Sequence, residues 1–455
     1  MRPWTRVLAG ALAACIGLAG CAGHPDLDQL PPSASIGHGS VTVALEKLKR
    51  EVPDADILRR HIAVEEAVTN APLREGNRVT LLRDGREAFD AKWTAIGAAR
   101  DHVNLEYFIF EDVVHNDKSI VDLLVEKSRA GVQINLIYDS IGSQDTPAEV
   151  FERLRDAGAL VLEANPMNPL KSPRKRIYSP NDRDHRKILV VDGKLGFTGG
   201  INISKTYSSS GSAGERRTST AKSPEEMPWR DTAILIEGPA VADFQQLFFE
   251  TWKEQRGGEV PKRDYFPKLE KLDDEIVRIV GSAPSQDVPA FYATLLSAIR
   301  SAEERVWLTN SYFAPTPAEV AELKAAAQRG VDVRLLLSGE TDAPKMRDAG
   351  RSYYADLLDA GIHIFELQGA ILHAKTAVVD GVWSVVGSSN LDNRSVVFNT
   401  EIDAVVLGRE TGRKMEELFE ADLRNAREID PKTWADRSVW QKMKERFWRT
   451  WAPVL

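Results

Sequence analysis

The chain has 455 residues, 43% of them hydrophobic and 28% charged, which is enough to bury one large core or two ordinary domains. Its formal charge of -8 argues against a broadly cationic nucleic-acid-binding surface, and removing residues 1–20, with Arg2 and Arg6, makes the remainder more acidic still. Cysteine occurs only at Cys15 and Cys21, so an exported and processed chain has no internal disulfide and its fold must rest on packing.

In chain order, residues 1–20 read as an export signal: Arg2 and Arg6, the apolar run Val7–Ala19, then small residues, too short for a spanning helix with normal flanks. Leu18-Ala19-Gly20-Cys21 is similar to a bacterial lipobox, which implies cleavage before Cys21 and lipid on its thiol. The mature chain is then expected in the cell envelope, lipid-anchored and facing the periplasm, with Ala22 favouring the outer membrane where two membranes exist. Residues 21–76 follow as a tether rich in Pro, Gly, Ser and Ala and then a helical segment interrupted by Pro53. From residue 77 short apolar runs alternate with amphipathic ones, at Val103–Phe110, Ile120–Arg129, Val132–Tyr138 and Ala148–Ala157, the rhythm of an α/β sheet. The same order returns at Val306–Phe313, Ala318–Gln328, Val331–Leu337 and Tyr353–Ala360. The chain therefore reads as a duplication, with repeat 1 over 77–265, repeat 2 over 266–430 and a tail over 431–455. Two polar stretches, the cationic Lys171–Asp184 and the Ser- and Gly-rich Lys205–Pro228, interrupt repeat 1 and read as mobile loops. In the tail, Trp440, Met443, Phe447, Trp451 and Val454 fall at helical spacing beside Lys442, Lys444, Arg446 and Arg449, which fits an interfacial helix and equally a helix packed on the enzyme's own surface.

The chemistry lies at equivalent points of the repeats. His185-Arg186-Lys187 with Asp192 and then Gly199-Gly200-Ile201-Asn202 is matched, at identical offsets, by His373-Ala374-Lys375 with Asp380 and then Gly387-Ser388-Ser389-Asn390. One His-x-Lys is better explained as a surface pair; two with the same following residues are not. An ammonium suits nonbridging phosphate oxygens, and an imidazole serves as nucleophile, acid or base near neutral pH. Gly199, Gly200, Gly387 and Ser388 are expected to let the backbone approach a phosphate, with Asn202 and Asn390 donating to its oxygens. Asp231 and Glu401, each seven residues before a glycine in an equivalent strand-like run, are candidate imidazole orienters, Asp231 for His185 and Glu401 for His373. Asp192-Gly193 and Asp380-Gly381 have hairpin-turn chemistry and read as structural.

The doubled H-x-K-x4-D with its following G-[GS]-x-N resembles the phospholipase D superfamily over residues 77–455, and the wording around His185, Phe197–Ile203, Trp229–Thr232, Tyr312–Pro315 and Gly387–Asp392 is similar to bacterial cardiolipin synthases. The resemblance implies a duplicated α/β fold, two α/β/α sandwich repeats about a pseudo-two-fold with one active site at the seam. It implies a phosphohistidine intermediate, no metal or other cofactor, and phosphatidyl transfer between phospholipids at a membrane. Phosphatidylglycerol is the expected substrate, with phosphatidylethanolamine as another acceptor, no nucleic-acid partner and a monomeric active unit. A phospholipase D hydrolase is the alternative, and an exported nuclease a more distant one.

Overall fold

The computed structural model describes residues 71–168, 181–208, 227–284 and 289–452. The signal, Cys21, the tether, the segment up to residue 70, the cationic residues 171–176 and most of the 205–228 insertion lie outside them. The first half runs β1 (Arg74–Arg83), α1 (Asp84–Ala98), β2 (His102–Tyr107), β3 (Val114–His115), β4 (Lys118–Ser119), α2 (Ile120–Arg129), β5 (Gln133–Asp139), α3 (Ala148–Asp156), β6 (Leu160–Ala164), β7 (Arg183–Asp184), β8 (Lys187–Val191), β9 (Leu195–Gly199), β10 (Trp229–Arg230), β11 (Thr232–Glu237) and α4 (Val241–Glu254). The second runs β12 (Glu275–Ser282), α5 (Ala290–Ser301), β13 (Arg305–Asn310), α6 (Pro317–Gln328), β14 (Asp332–Glu340), α7 (Pro344–Arg351), α8 (Tyr354–Leu358), β15 (His363–Leu372), β16 (Lys375–Val379), β17 (Trp383–Gly387), α9 (Asn393–Val397), β18 (Asn399–Leu407), α10 (Arg409–Leu423), β19 (Ala426–Glu428), α11 (Pro431–Ala435) and α12 (Val439–Trp451).

Both halves build the same mixed sheet. The first has the order β1-β11-β9-β8-β2-β5-β6, and the second β12-β18-β17-β16-β13-β14-β15, with only the last three strands of each mutually parallel. The edge strands β1 and β12 pair antiparallel and join the halves. Period-2 alternation then assigns the cores. On β8, Leu189 and Val191 face an outer core with α1, α2 and α3, while Ile188 and Val190 face inward. On β16, Ala377 and Val379 join an outer core with α5, α6 and α8, while Val378 faces inward. The inward residues of both sheets meet in one shared core flanked by Phe244 of α4 and Phe419 of α10. Helix ends are locally encoded: Thr316 and Glu319 form a capping box with Pro317 at the first turn of α6, and Gly131 and Gly330, at φ of 91° each, turn the chain out of α2 and α6.

What positions the site is a pair of exceptions. β7 leaves its own sheet to pair in parallel with the start of β18, Asn399 against Arg183 and Thr400 against Asp184. β10 does the reciprocal, pairing in parallel with the end of β15, Trp229 against Ile371 and Arg230 against Leu372. Each repeat thus sends a short strand across the seam next to its reactive histidine or carboxylate.

Candidate active site

His185 follows β7, and its N–H donates to the carbonyl of Thr400 at 2.9 Å. Glu401 is the next residue, and its Oε2 lies 2.9 Å from His185 Nδ1, with Oε1 at 3.1 Å. In the same way His373 N–H donates to the carbonyl of Arg230 at 2.8 Å, and Asp231 Oδ2 lies 2.8 Å from His373 Nδ1. Each imidazole is therefore held by the carboxylate of the other repeat. This corrects the pairing of Asp231 with His185 and of Glu401 with His373: equal spacing within a repeat implies a local partner only when the repeat is closed on itself, and β7 and β10 cross the seam. With an ionisable oxygen at each Nδ1, both rings carry hydrogen there and leave Nε2 for chemistry.

Lys187 and Lys375 start β8 and β16, and each Nζ donates back to the carbonyl of its own motif histidine, at 2.6 and 2.5 Å. Lys187 sits 5.7 Å above the Phe108 ring and Lys375 5.7 Å above Tyr312. Burial pushes both ammoniums down, Lys187 to about 7 and Lys375 to about 8, against the pull of Glu401 and Asp231.

The residues expected to cradle phosphate divide differently. A Cβ on Gly200 would fall on the Asp231 carboxylate, one on Gly387 on that of Asp403, and one on Gly199, at φ 130°, on β11. These glycines make room for buried carboxylates and a neighbouring strand, a packing requirement beside the expected phosphate approach. Ser388 is likewise engaged elsewhere: its hydroxyl donates to Glu401 Oε2 at 2.5 Å. Asn390 Oδ1 accepts the Ser311 hydroxyl at 2.8 Å, which leaves its amide nitrogen for an oxygen ligand, whereas Asn202 is engaged at both ends, its Oδ1 accepting Ile109 N–H at 3.2 Å and its side chain hydrogen-bonded to the Tyr207 hydroxyl. Asp192 and Asp380 sit away from the histidines in left-handed turns at φ 52° and 50°. Their carboxylates accept the backbone N–H groups of Arg100 to His102 and of Glu303 to Arg305 at the starts of β2 and β13.

The two dyads are not electrically equal. Burial opposes the Asp231 charge, but the hydrogen bond and charge of His373, with Lys375 and the Thr232 N–H, outweigh it and hold the carboxyl below its usual range. Burial pushes Glu401 up to about 7, in spite of Lys187 and hydrogen bonds from Ser388, Asn399 and Ser395. His185 is driven well below the usual imidazole range, first by burial and then by Lys187, Lys375, His373 and Arg394. His373 is lowered by burial and Lys375, with Asp231 pulling the other way.

Aromatic rings wall both imidazoles, Phe108 at 5.2 Å from His185, and Trp229 and Tyr312 at 5.0 and 5.9 Å from His373. A cavity of about 460 Å³ opens beside His185, lined by Phe108, Tyr312, Pro344 and Met346, by the cations Arg183, Lys345 and Arg394 and by Asp342 and Asp392. Such a wall accepts apolar chains and a second anion together.

The sequence profile described as "Cardiolipin synthase, PLD-like domain" matches residues 93–212 and 295–423, which are the two repeats that meet at this site. The chain belongs to this cardiolipin synthase family of phospholipase D-like enzymes. Among its relatives, cardiolipin synthase A of Pseudomonas fluorescens is 34% identical over 387 residues, covering 84% of this chain and 76% of that one. Cardiolipin synthase 1 of Bacillus cereus is 31% identical over 392 residues, covering 84% and 74%. A solved phosphatidylserine synthase of Haemophilus influenzae shares the fold at a TM-score of 0.58 and 11% identity, over 90% of this chain and 98% of that one.

Within this family frame, sequence reasoning missed several residues at the site. Tyr207 stands in the insertion read as a mobile loop, yet it is fully buried, with its hydroxyl donating to the Gly200 carbonyl at 3.3 Å and 3.1 Å from His373 Nδ1. Ser395 and Asn399 hold Glu401 Oε1 at 2.9 and 3.1 Å. Lys92 on α1 is buried beneath the first motif, donating to the Ile201 carbonyl at 3.1 Å. Only Tyr207 had a signal, an aromatic residue at the border of an otherwise polar stretch.

Proposed function

We propose that this enzyme moves a phosphatidyl group from one phosphatidylglycerol to the hydroxyl of a second, giving cardiolipin and glycerol, with His185 as nucleophile and His373 as acid and then base. His185 Nε2 attacks phosphorus, the bond to the glycerol oxygen breaks, and His373 gives that oxygen its proton. The acceptor hydroxyl then loses its proton to His373 as its oxygen attacks phosphorus and the bond to His185 Nε2 breaks. The assignment rests on the unequal dyads: burial and surrounding cations keep His185 neutral, as a nucleophile must be, while the ionised Asp231 pulls His373 back up against burial and Lys375, as an acid needs. Lys187, Lys375 and Asn390 hold the nonbridging oxygens. Both dyads come from one chain, so a single copy makes a complete site.

The observation that carries transfer over hydrolysis is the cavity at His185. Water needs no second anion site, whereas an acceptor phospholipid brings its own phosphodiester, and Arg183, Lys345 and Arg394 outnumber the carboxyls of Asp342 and Asp392 in the cavity lining. An exported nuclease is disfavoured by the -8 charge of the chain. We place the working enzyme at the cell envelope, anchored through Cys21; no helix among the described residues is long and apolar enough to cross a membrane. The test is to incubate purified enzyme with phosphatidylglycerol alone, then with added phosphatidylethanolamine. Equimolar glycerol and a two-phosphate lipid are expected; phosphatidic acid as the only lipid product refutes the acceptor assignment, and a mixed product with phosphatidylethanolamine widens it.

A further inference from the structure

Helix α12 forms with its two faces in different surroundings. Trp448 and Ala452 pack on Met346 and Ala349 of α7. Lys345 Nζ lies 5.1 Å from the Trp448 ring, Lys444 bridges to Asp348 at 2.7 Å, and the buried Glu445 bridges to Arg437 at 2.8 Å. The opposite face carries Val439, Trp440, Met443 and Phe447, exposed by 72, 75, 57 and 55%. At about 100° per residue these four fall in one stripe roughly 100° wide, pointing away from Glu445, Trp448 and Ala452. They are half of the large hydrophobic side chains exposed among the described residues, concentrated on one helix. A soluble surface has no use for such a cluster.

The stripe has a cationic margin. Lys442 and Arg446 lie along one edge with no carboxylate partner among the described residues, Lys442 donating only to the Ala435 carbonyl at 2.6 Å, and Lys444 lies along the other. In a chain with a net charge of -8, Lys442, Arg446 and Arg449 outnumber the Asp356 and Asp359 carboxyls that line the groove on this side of the stripe. Tryptophan, methionine and phenylalanine between lysine and arginine match the boundary between anionic headgroups and acyl chains, not a protein partner's polar rim. The placement is also continuous with the reactive cavity: the residues before and at the start of α7, Ala343 to Met346, wall that cavity, while Met346 and Ala349 carry α12.

We infer that the outer face of α12 is a second membrane contact, one that docks on an anionic phospholipid surface and holds the His185 cavity at the lipid interface independently of any lipid on Cys21. The consequence for turnover rests on the lipid-substrate reading above; the docking itself does not. The test uses the full chain with Cys15→Ser, Cys21→Ser and Met443→Cys, the new thiol carrying a polarity-sensitive dye. This local readout is blind to whatever the N-terminus does. Vesicles with one-third phosphatidylglycerol should blue-shift the dye, neutral phosphatidylcholine vesicles much less, and half-molar salt should weaken the shift. Replacing Lys442 and Arg446 by Gln should reduce the response to anionic vesicles about 10-fold. In the otherwise native chain, Trp440→Ser, Met443→Ser and Phe447→Ser together should lower turnover of vesicle phosphatidylglycerol at least ~30-fold while short-chain monomeric lipid is turned over as before, with an unchanged melting temperature. His185→Ala should abolish turnover and keep the dye shift, which separates failure of docking from failure of the catalytic reading. An unshifted dye overturns the inference, as does a triple variant that processes vesicles like the parent. Concentration-dependent dimerisation without lipid, lost in the triple variant, would assign the stripe to a second copy and overturn it equally.

Discussion

Asp231→Asn and Glu401→Gln test the crossed dyads, because the two pairings demand opposite results. Asp231 is fully buried and its Oδ1 accepts the Thr232 N–H at 2.7 Å. In the Asn variant the amide oxygen must keep that place, so the NH2 group faces His373 Nδ1. The ring can then no longer hold hydrogen on both nitrogens next to a negative charge, and the imidazolium needed to protonate glycerol is lost. Removing the orienting carboxylate of a catalytic histidine lowers turnover by about 10^4, or ~5 kcal/mol of barrier. The assay compares phosphatidylglycerol with a phosphatidyl p-nitrophenol ester, whose leaving group needs no proton, by the rate of the first-turnover burst. Asp231→Asn should lose about 10^3 to 10^4 on phosphatidylglycerol and less than about tenfold on the activated ester. Glu401→Gln removes the negative charge beside His185 Nδ1 and loosens the tautomer that leaves the Nε2 lone pair free to attack, so both substrates should lose about 10^3. If Asp231→Asn suppresses both substrates and Glu401→Gln only phosphatidylglycerol, either the crossed arrangement or the roles of the two histidines are refuted, and trapping of the phosphohistidine on His185 or His373 tells which.

Three further outcomes follow from the same geometry. His185 must be neutral to attack and Glu401, raised to about 7, ionised to orient it, so kcat/KM should fall as pH drops below about 7; on the alkaline side it should fall as the acid His373 and then Lys187 and Lys375, near 7 and 8, lose their protons, a narrow bell measured as a pH profile with monomeric lipid. Asp192→Ala and Asp380→Ala each remove the acceptor of consecutive backbone N–H groups and leave a non-glycine residue at positive φ, so denaturant unfolding should show a loss of about 2–4 kcal/mol while kcat per folded molecule changes less than about threefold; a kcat collapse at full stability would make them catalytic. Lys345→Gln with Arg394→Gln should raise the ratio of phosphatidic acid to cardiolipin about tenfold at fixed phosphatidylglycerol, and an unchanged ratio would remove these side chains from acceptor binding.

The duplication was legible because both periodicities needed to see it are local. Alternation along Ile188 to Val191 and helix stops such as Gly131 and Gly330 are written in neighbouring residues, and identical offsets from His185 and His373 required only counting. Residue types named the chemistry for the same reason, since an imidazole and an ammonium do similar work wherever they are placed. The turns at Asp192 and Asp380 were readable too, as an Asp-Gly pair carries its own backbone preference. Partnership was not. Which carboxylate meets which imidazole depends on β7 and β10, strands of two residues each whose pairing partners lie 216 and 142 residues from them in the chain, and no local pattern records that. The true tasks of Gly200, Gly387 and Ser388 were hidden for the same cause: Gly200 and Ser388 serve Asp231 and Glu401 behind the histidines, Gly387 makes room for Asp403, and those carboxylates reach them through the sheet. The sequence by itself determined two α/β repeats carrying phosphate chemistry, because composition, periodicity and spacing are properties of the chain. Only the tertiary structure decided that the repeats trade carboxylates, that one dyad holds an ionised acid and the other a carboxyl raised to about 7, and that α12 turns its tryptophan outward, because burial and electrostatic field exist only once distant segments have closed around a residue.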